Sequence, residues 1–146
     1  LTVGCMGHAS QIALGIAVEK PGRTVYCLDG DGAVLMHMGS LAIIGDQSSN
    51  NFKHILINNG SHDSVGGQAT VGYQLDFEKI VLGCGYKSYL MADSTESLTT
   101  SMQTLVDLPG PVFLEVKTKP GAREDLGRPT IKPVENKKDF IQNLSR

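Results

Sequence analysis

Gly30-Asp31-Gly32 and Asn58-Asn59 are the residues of this sequence best suited to chemistry. Asp31 offers a carboxylate between two residues without side chains, where backbone amides can approach a ligand closely. The paired amides follow 27 and 28 residues later. A carboxylate oxygen of Asp31, the amide oxygen of Asn59 and the backbone carbonyl of Ser61 form an all-oxygen donor set. Such a set suits Mg2+ or Ca2+, with diphosphate oxygens completing the shell. A Gly-Asp-Gly turn alone serves equally well as a plain strand-to-helix corner. The second group of donors, at a second strand end, makes it a candidate site.

Several elements must bring the two groups together. A helix begins at His8, with Ile12, Ala13, Ile16 and Ala17 at helical spacing, Leu14 and Val18 widening its buried face, Ser10 as cap and Pro21-Gly22 as stop. Thr24 to Leu28 reads as a buried strand delivering the chain into the Asp31 turn. A second helix is expected from about Ala33 to Ile44, carrying Val34, Leu35, Met38, Leu41 and Ala42, before the polar break from Gly45 to Asn51. Its positive end would face the same spot as Asp31. The strand from Lys53 to Ile57 ends at the amide pair, and the glycine-rich run from Gly60 to Gly72 reads as a functional loop. Asp76 and Ser94 cap two further helices, each followed by a strand, Lys87 to Met91 and Val112 to Lys117. This alternation predicts an α/β fold, a parallel sheet with helices on both faces. Ligands of such sheets sit outside the carboxyl ends of the strands, where both donor groups fall.

Composition narrows the partners. With 146 residues, 40% hydrophobic and 19% charged, the chain supports one folded domain. A net charge of −2 and a pI near 6.1 argue against nucleic acid or an anionic membrane as partner. No apolar run reaches the roughly 20 residues that cross a bilayer. Cys5, Cys27 and Cys84 form no Cys-x-x-Cys pair, so reduced thiols and a cytoplasmic setting are expected, without zinc. The first residue is Leu1, which reads as a start inside a longer polypeptide.

Gly30-Asp31-Gly32 with Asn58-Asn59 resembles the signature of thiamine-diphosphate enzymes, in their pyrophosphate-binding domain. Gly4-Cys5-Met6-Gly7 is similar to the glycine-bracketed apolar segment that precedes it. More narrowly, Met6 to Ser10, Val34 to Gly39, Asn58 to Gln68 and Gly127 to Thr130 resemble the phosphonopyruvate decarboxylase branch. The resemblance implies a thiamine-diphosphate-binding fold over residues 1–118, truncated at its start, followed by a polar tail over 119–146. It implies that Asp31, Asn59 and the Ser61 carbonyl hold Mg2+. Gly30, Gly32, Ala33 and His62 would line the thiamine diphosphate, with diphosphate oxygens on the amides of Gly32 and Ala33. Gly4, Cys5 and Met6 would meet the aminopyrimidine, the Met6 side chain bending the cofactor. Ala33 stands where the family commonly has serine, which removes one hydroxyl contact.

The implied reaction is decarboxylation of a 2-oxoacid, phosphonopyruvate to phosphonoacetaldehyde and CO2 in phosphonate biosynthesis. Sulfopyruvate or another 2-oxoacid is the alternative, and a non-catalytic cofactor-binding module the third reading. The family's activating glutamate belongs to a separate pyrimidine-binding domain or subunit, and none of the six glutamates here has a matching context. That domain and a homo-oligomeric assembly are therefore the expected partners. His8 and His62 are the candidate acid–base or anion-binding residues, whereas His37 and His54 read as packing or surface positions and Met36, Met38 and Met102 as core filler. Asp63 reads as a loop cap or a supporting partner. Arg123 and Arg128 in the tail are candidates to meet a phosphonate if the tail closes over the site.

Overall fold

Four strands, β1 (Val25–Gly30), β2 (Phe52–Asn58), β3 (Ser88–Ala92) and β4 (Val112–Lys117), pair in the order β1-β2-β4-β3, parallel throughout, in a computed structural model that describes residues 1–127 and 129–145. The helices are α1 (Ala9–Glu19), α2 (Asp31–Met36), α3 (Gly39–Gln47), α4 (Phe77–Gly83), α5 (Thr95–Asp107) and α6 (Pro133–Leu144). The two central strands are buried almost throughout, as strands covered on both faces must be. One core gathers Leu14 and Ala17 of α1, Leu41 and Ile44 of α3, and Phe77 and Val81 of α4 against Phe52, Leu56 and Phe113 of the sheet. The other packs Leu105 of α5 on Ile55, Ala92, Val112, Leu114 and Val116. The α/β class with helices on both faces is as the alternation predicts.

Register places the site. Gly30 stands opposite Ile57, and Asn58 opposite Lys117, so β1 and β2 end level at one edge. Asp31 and Asn59 are each the first residue beyond that edge. Parallel pairing alone brings together donors far apart in sequence.

Several local expectations change. Ser10 does not cap α1. His8 holds that position without a side-chain bond, and Ser10 is buried in the first turn. The buried face of α1 is Ser10, Ala13, Leu14 and Ala17, while Ile12 and Val18 face outward. The single helix expected from Ala33 to Ile44 is two, α2 and α3, broken at His37-Met38. The break shifts the helical phase, so Met36 is exposed instead of filling the core. β1 is an edge strand, and its outward residues Tyr26 and Leu28 lie beyond the cover of α5 and stay exposed. On α5, Leu105 is buried and Val106 is exposed. The caps Asp76 and Ser94 form as expected; Asp76 accepts from the Lys79 amide and Ser94 makes a capping box with Ser97. The tail carries α6, which touches the body where Asn136 accepts from the Thr2 amide and where the Asn143 carbonyl accepts from Arg23. Among the described residues no helix is long and apolar enough to cross a membrane.

Two glycines test the packing in opposite directions. A Cβ at Gly45 in α3 would run into the Cys84 carbonyl, whereas one at Gly15 in α1 would meet nothing. Gly45→Ala should lower stability by about 1–3 kcal/mol or more through overpacking. Gly15→Ala should raise it by roughly 0.5–1 kcal/mol. Urea denaturation of both variants checks this; equal effects would contradict the close α3–α4 packing.

Candidate functional site

The strand ends open into a cavity of about 280 Å³ lined by Met6, Gly30, Asp31, Gly32, Ala33, Ile57, Asn59, Ser61, His62, Asp63 and Ser64. Eight of the candidate residues thus share one space. Gly4, Cys5 and His8 are not among its lining residues; Cys5 is exposed and unpaired.

Asp31 is the first residue of α2 and is 1% exposed. Its Oδ2 accepts a hydrogen bond from the Thr70 hydroxyl, and no ion pair reaches it among the described residues. A buried carboxylate costs several kcal/mol unless charge and hydrogen bonds compensate it. One hydroxyl supplies one bond and no charge, so a cation would complete the compensation. Its neighbours provide oxygen donors: the Asn59 side chain, whose Oδ1 accepts from the Ser61 amide at 3.0 Å, and Ser61 itself. This donor set fits Mg2+ in the cavity, and the free first-turn amides of α2 fit phosphate oxygens. α2 is only six residues long, so those amides count for more than the dipole of the longer helix that was expected.

Gly32 matters because the His62 imidazole lies against it, where a Cβ would overlap the ring. The same bare backbone permits close approach of a phosphate. His8 stands off the cavity, its ring edge-to-face with His37 at 4.3 Å between centroids. His37 is exposed and His54 fully buried, in keeping with their expected surface and packing roles.

The loop from Gly60 to Gly72 is ordered by its own bonds. It turns back on itself through Thr70 N–H to Gly60 O, 2.9 Å, and His62 N–H to Gln68 O, 2.8 Å. Positive φ at Gly60, Gly66 and Gly67 permits those turns. The fold-back seats Thr70 on Asp31 and lays Gly72 against the side chains of Asp31 and Asn58. Asp63 ties down the other limb, accepting from Ser61 Oγ at 2.6 Å, Gly121 N at 2.7 Å and Asn59 Nδ2 at 2.8 Å. Asp63 therefore orients two of the three proposed donors and fastens the tail to the loop. Its role was open in the sequence, and Thr70 gave no signal there at all. Nearby, Arg123 lines an adjoining cavity with Asp63 and Ser64 and pairs with Asp125 at 3.2 Å, while Arg128 lies outside the described residues.

The chain matches the family model described as "Thiamine pyrophosphate enzyme, C-terminal TPP binding domain" over residues 1–116. It belongs to that family. It is 38% identical over 138 residues to phosphonopyruvate decarboxylase of Streptomyces viridochromogenes, covering 94% of this chain and 34% of that one. It is 34% identical over 119 residues to sulfopyruvate decarboxylase subunit beta of Methanothermobacter thermautotrophicus, covering 82% and 61%. Among solved structures it superposes on a chain from Mycobacterium smegmatis described as a putative thiamin diphosphate-dependent enzyme. The TM-score there is 0.68 and the identity 26%, over 81% of this chain and 23% of that one. The chain spans about a third of the length of the phosphonopyruvate decarboxylase it matches.

The Asp63 bonds give a pH prediction. The Ser61 hydroxyl first, then the Gly121 amide and the Asn59 side chain, hold its carboxyl below the ordinary 3.8. A group with a depressed folded pKa contributes stability that is full above its unfolded pKa and lost as pH falls through the folded one. Amide exchange in the loop should therefore stay slow above about pH 4 and quicken below it, once normalised for intrinsic rate. In Asp63→Asn this acid step should vanish; its persistence would remove Asp63 as the anchor.

Proposed function

We propose that this chain is the cofactor-anchoring part of a thiamine-diphosphate- and Mg2+-dependent 2-oxoacid decarboxylase, with phosphonopyruvate as substrate. The observation that carries the metal assignment is the buried Asp31 carboxylate, which no basic side chain reaches among the described residues, sharing a cavity with Asn59 and Ser61. In this reading Asp31, Asn59 Oδ1 and the Ser61 carbonyl hold the ion, and the amides of Gly32 and Ala33 bind the diphosphate. Met6 lines the same cavity and would shape the cofactor. Gly4 and Cys5 would contact the aminopyrimidine beyond the cavity. The cofactor, when bound, supplies the electron sink that lets CO2 leave. The chain's own work is to bind, orient and exclude water.

Acid–base activation must come from elsewhere. Glu115 is buried beneath the site, the other five glutamates are exposed, and none lines the cavity. A pyrimidine-binding domain or subunit bringing its own glutamate is the required partner, in a homo-oligomer. The cofactor domain then occupies 1–118, and the tail over 119–146 borders the site through Gly121 and Arg123. His62, on the cavity wall, is the residue here best placed to meet substrate; His8 is a weaker candidate because it stands outside.

Phosphonopyruvate is favoured by the 38% identity across 94% of the chain. Sulfopyruvate stays as a second reading because a beta subunit from that group is covered over 61% of its length, as a two-subunit enzyme would require. Both substrates pair a 2-oxoacid with a second anionic group. A cytoplasmic setting suits the free cysteines; burial and Asp29 push the Cys27 thiol up, which keeps it protonated and poorly reactive.

Two measurements test this. Calorimetry on the full-length enzyme should show Mg2+-dependent binding of thiamine diphosphate that Asp31→Asn weakens at least 100-fold; equal affinity would sink the clamp. Competing phosphonopyruvate against sulfopyruvate should give kcat/KM at least tenfold higher for the phosphonate. The reverse ratio would move the assignment to sulfopyruvate.

A further inference from the structure

Beneath the cavity lies another buried carboxylate that the reaction does not use. Glu115, on β4, is 2% exposed, and no ion pair reaches it among the described residues. Its Oε1 accepts from Asn58 Nδ2 at 2.7 Å and its Oε2 from the Tyr89 hydroxyl at 2.5 Å. Burial and the Glu115 carboxylate push the Tyr89 phenol up, so it stays a donor. Asn58 Nδ2 gives its other hydrogen to the Gly72 carbonyl at 3.1 Å. Both amide hydrogens are thus committed, which fixes the orientation of the side chain. Its oxygen is turned toward Gly72 and the Asp31 carboxylate, and among the described residues it is the one buried side-chain polar atom without a partner.

We propose that Glu115 is a positioning residue for the metal clamp, acting through Asn58. Asn58 joins three pieces: the end of β2 from which Asn59 and Ser61 project, the Thr70–Gly72 segment that grips Asp31, and β4. Glu115 decides which way the Asn58 amide faces, because a carboxylate can only accept and therefore takes the NH2 side. The unpartnered oxygen is left toward Asp31, where a donor accompanying the bound ion, such as a metal-held water, would satisfy it. Without Glu115 the amide can turn over, presenting its NH2 to Asp31 and withdrawing it from Gly72. The loop then loosens and Asp31 gains a donor that competes with the cation. Outer partners of metal ligands typically change metal affinity by 10–100-fold.

This inference rests on the reading of Asp31, Asn59 and Ser61 as a metal clamp, but not on which 2-oxoacid is the substrate. The test is Mg2+ affinity in the presence of saturating thiamine diphosphate, by calorimetry on the full-length enzyme. Glu115→Ala should weaken Mg2+ at least tenfold. Glu115→Gln, whose oxygen can face Asn58 while its NH2 faces Tyr89, should stay within about threefold of the unsubstituted enzyme. Tyr89→Phe, which keeps the Asn58 bond, should do the same. Equal weakening in all three variants, or unchanged affinity in Glu115→Ala, would overturn the proposal. Should Glu115→Ala not fold, Glu115→Gln decides through its thermal shift on adding Mg2+: a normal shift supports positioning, a lost one overturns it. An unsubstituted enzyme that binds no Mg2+ would overturn the clamp itself, and this inference with it.

Discussion

A carboxylate taken out of water with no basic side chain beside it among the described residues is the constraint on which this structure turns. Among those residues the Asp31 carboxylate has one hydroxyl as hydrogen-bond partner, and it has almost no solvent. Everything around it limits that cost or prepares its relief. The level ends of β1 and β2 set Asn59 opposite, the folded-back loop delivers Thr70, and glycines at 30, 32 and 72 leave the backbone bare around the carboxylate. A buried carboxylate of this kind is costly on its own, and the divalent ion proposed above would offset that cost.

Two residues upstream, Asp29 shows the alternative solution. It too is buried, but its carboxylate accepts from His54 Nε2 at 3.0 Å and from the Cys27 thiol at 3.7 Å. The Tyr86 hydroxyl sits 2.9 Å from His54 Nδ1, completing the chain as donor. That network is satisfied by side chains and ties β1 to β2 inside the core. Asp29 and Asp31 share a residue type and a burial class, yet one is closed by protein and the other is open to a cavity. Partners, more than burial, separate a structural carboxylate from a binding one.

The strands, the sheet class, the caps at Asp76 and Ser94 and the meeting of Asp31, Asn59 and Ser61 at one strand edge were all legible in the sequence. Short-range chemistry marks them: turn glycines, capping side chains, apolar runs of strand length. The helix break at His37-Met38 was not legible, because apolar spacing continues across it and only packing against the sheet reveals the change of phase. Edge exposure of Tyr26 and Leu28 depends on strand order, which periodicity does not contain. Thr70, Asp63 and Glu115 support the site from 39, 4 and 57 residues away from their partners Asp31, Asn59 and Asn58. Their roles exist only once the loop folds back and β4 inserts between β2 and β3.

Asp31, Asn59 and the Ser61 carbonyl are proposed to hold one divalent ion against the cofactor's diphosphate. Anomalous diffraction from crystals of the full-length enzyme grown with Mn2+ and thiamine diphosphate tests it most directly. One strong peak within bonding distance of all three oxygens is predicted. A peak elsewhere, such as among Cys27, Asp29 and His54, with none at Asp31, would contradict the account.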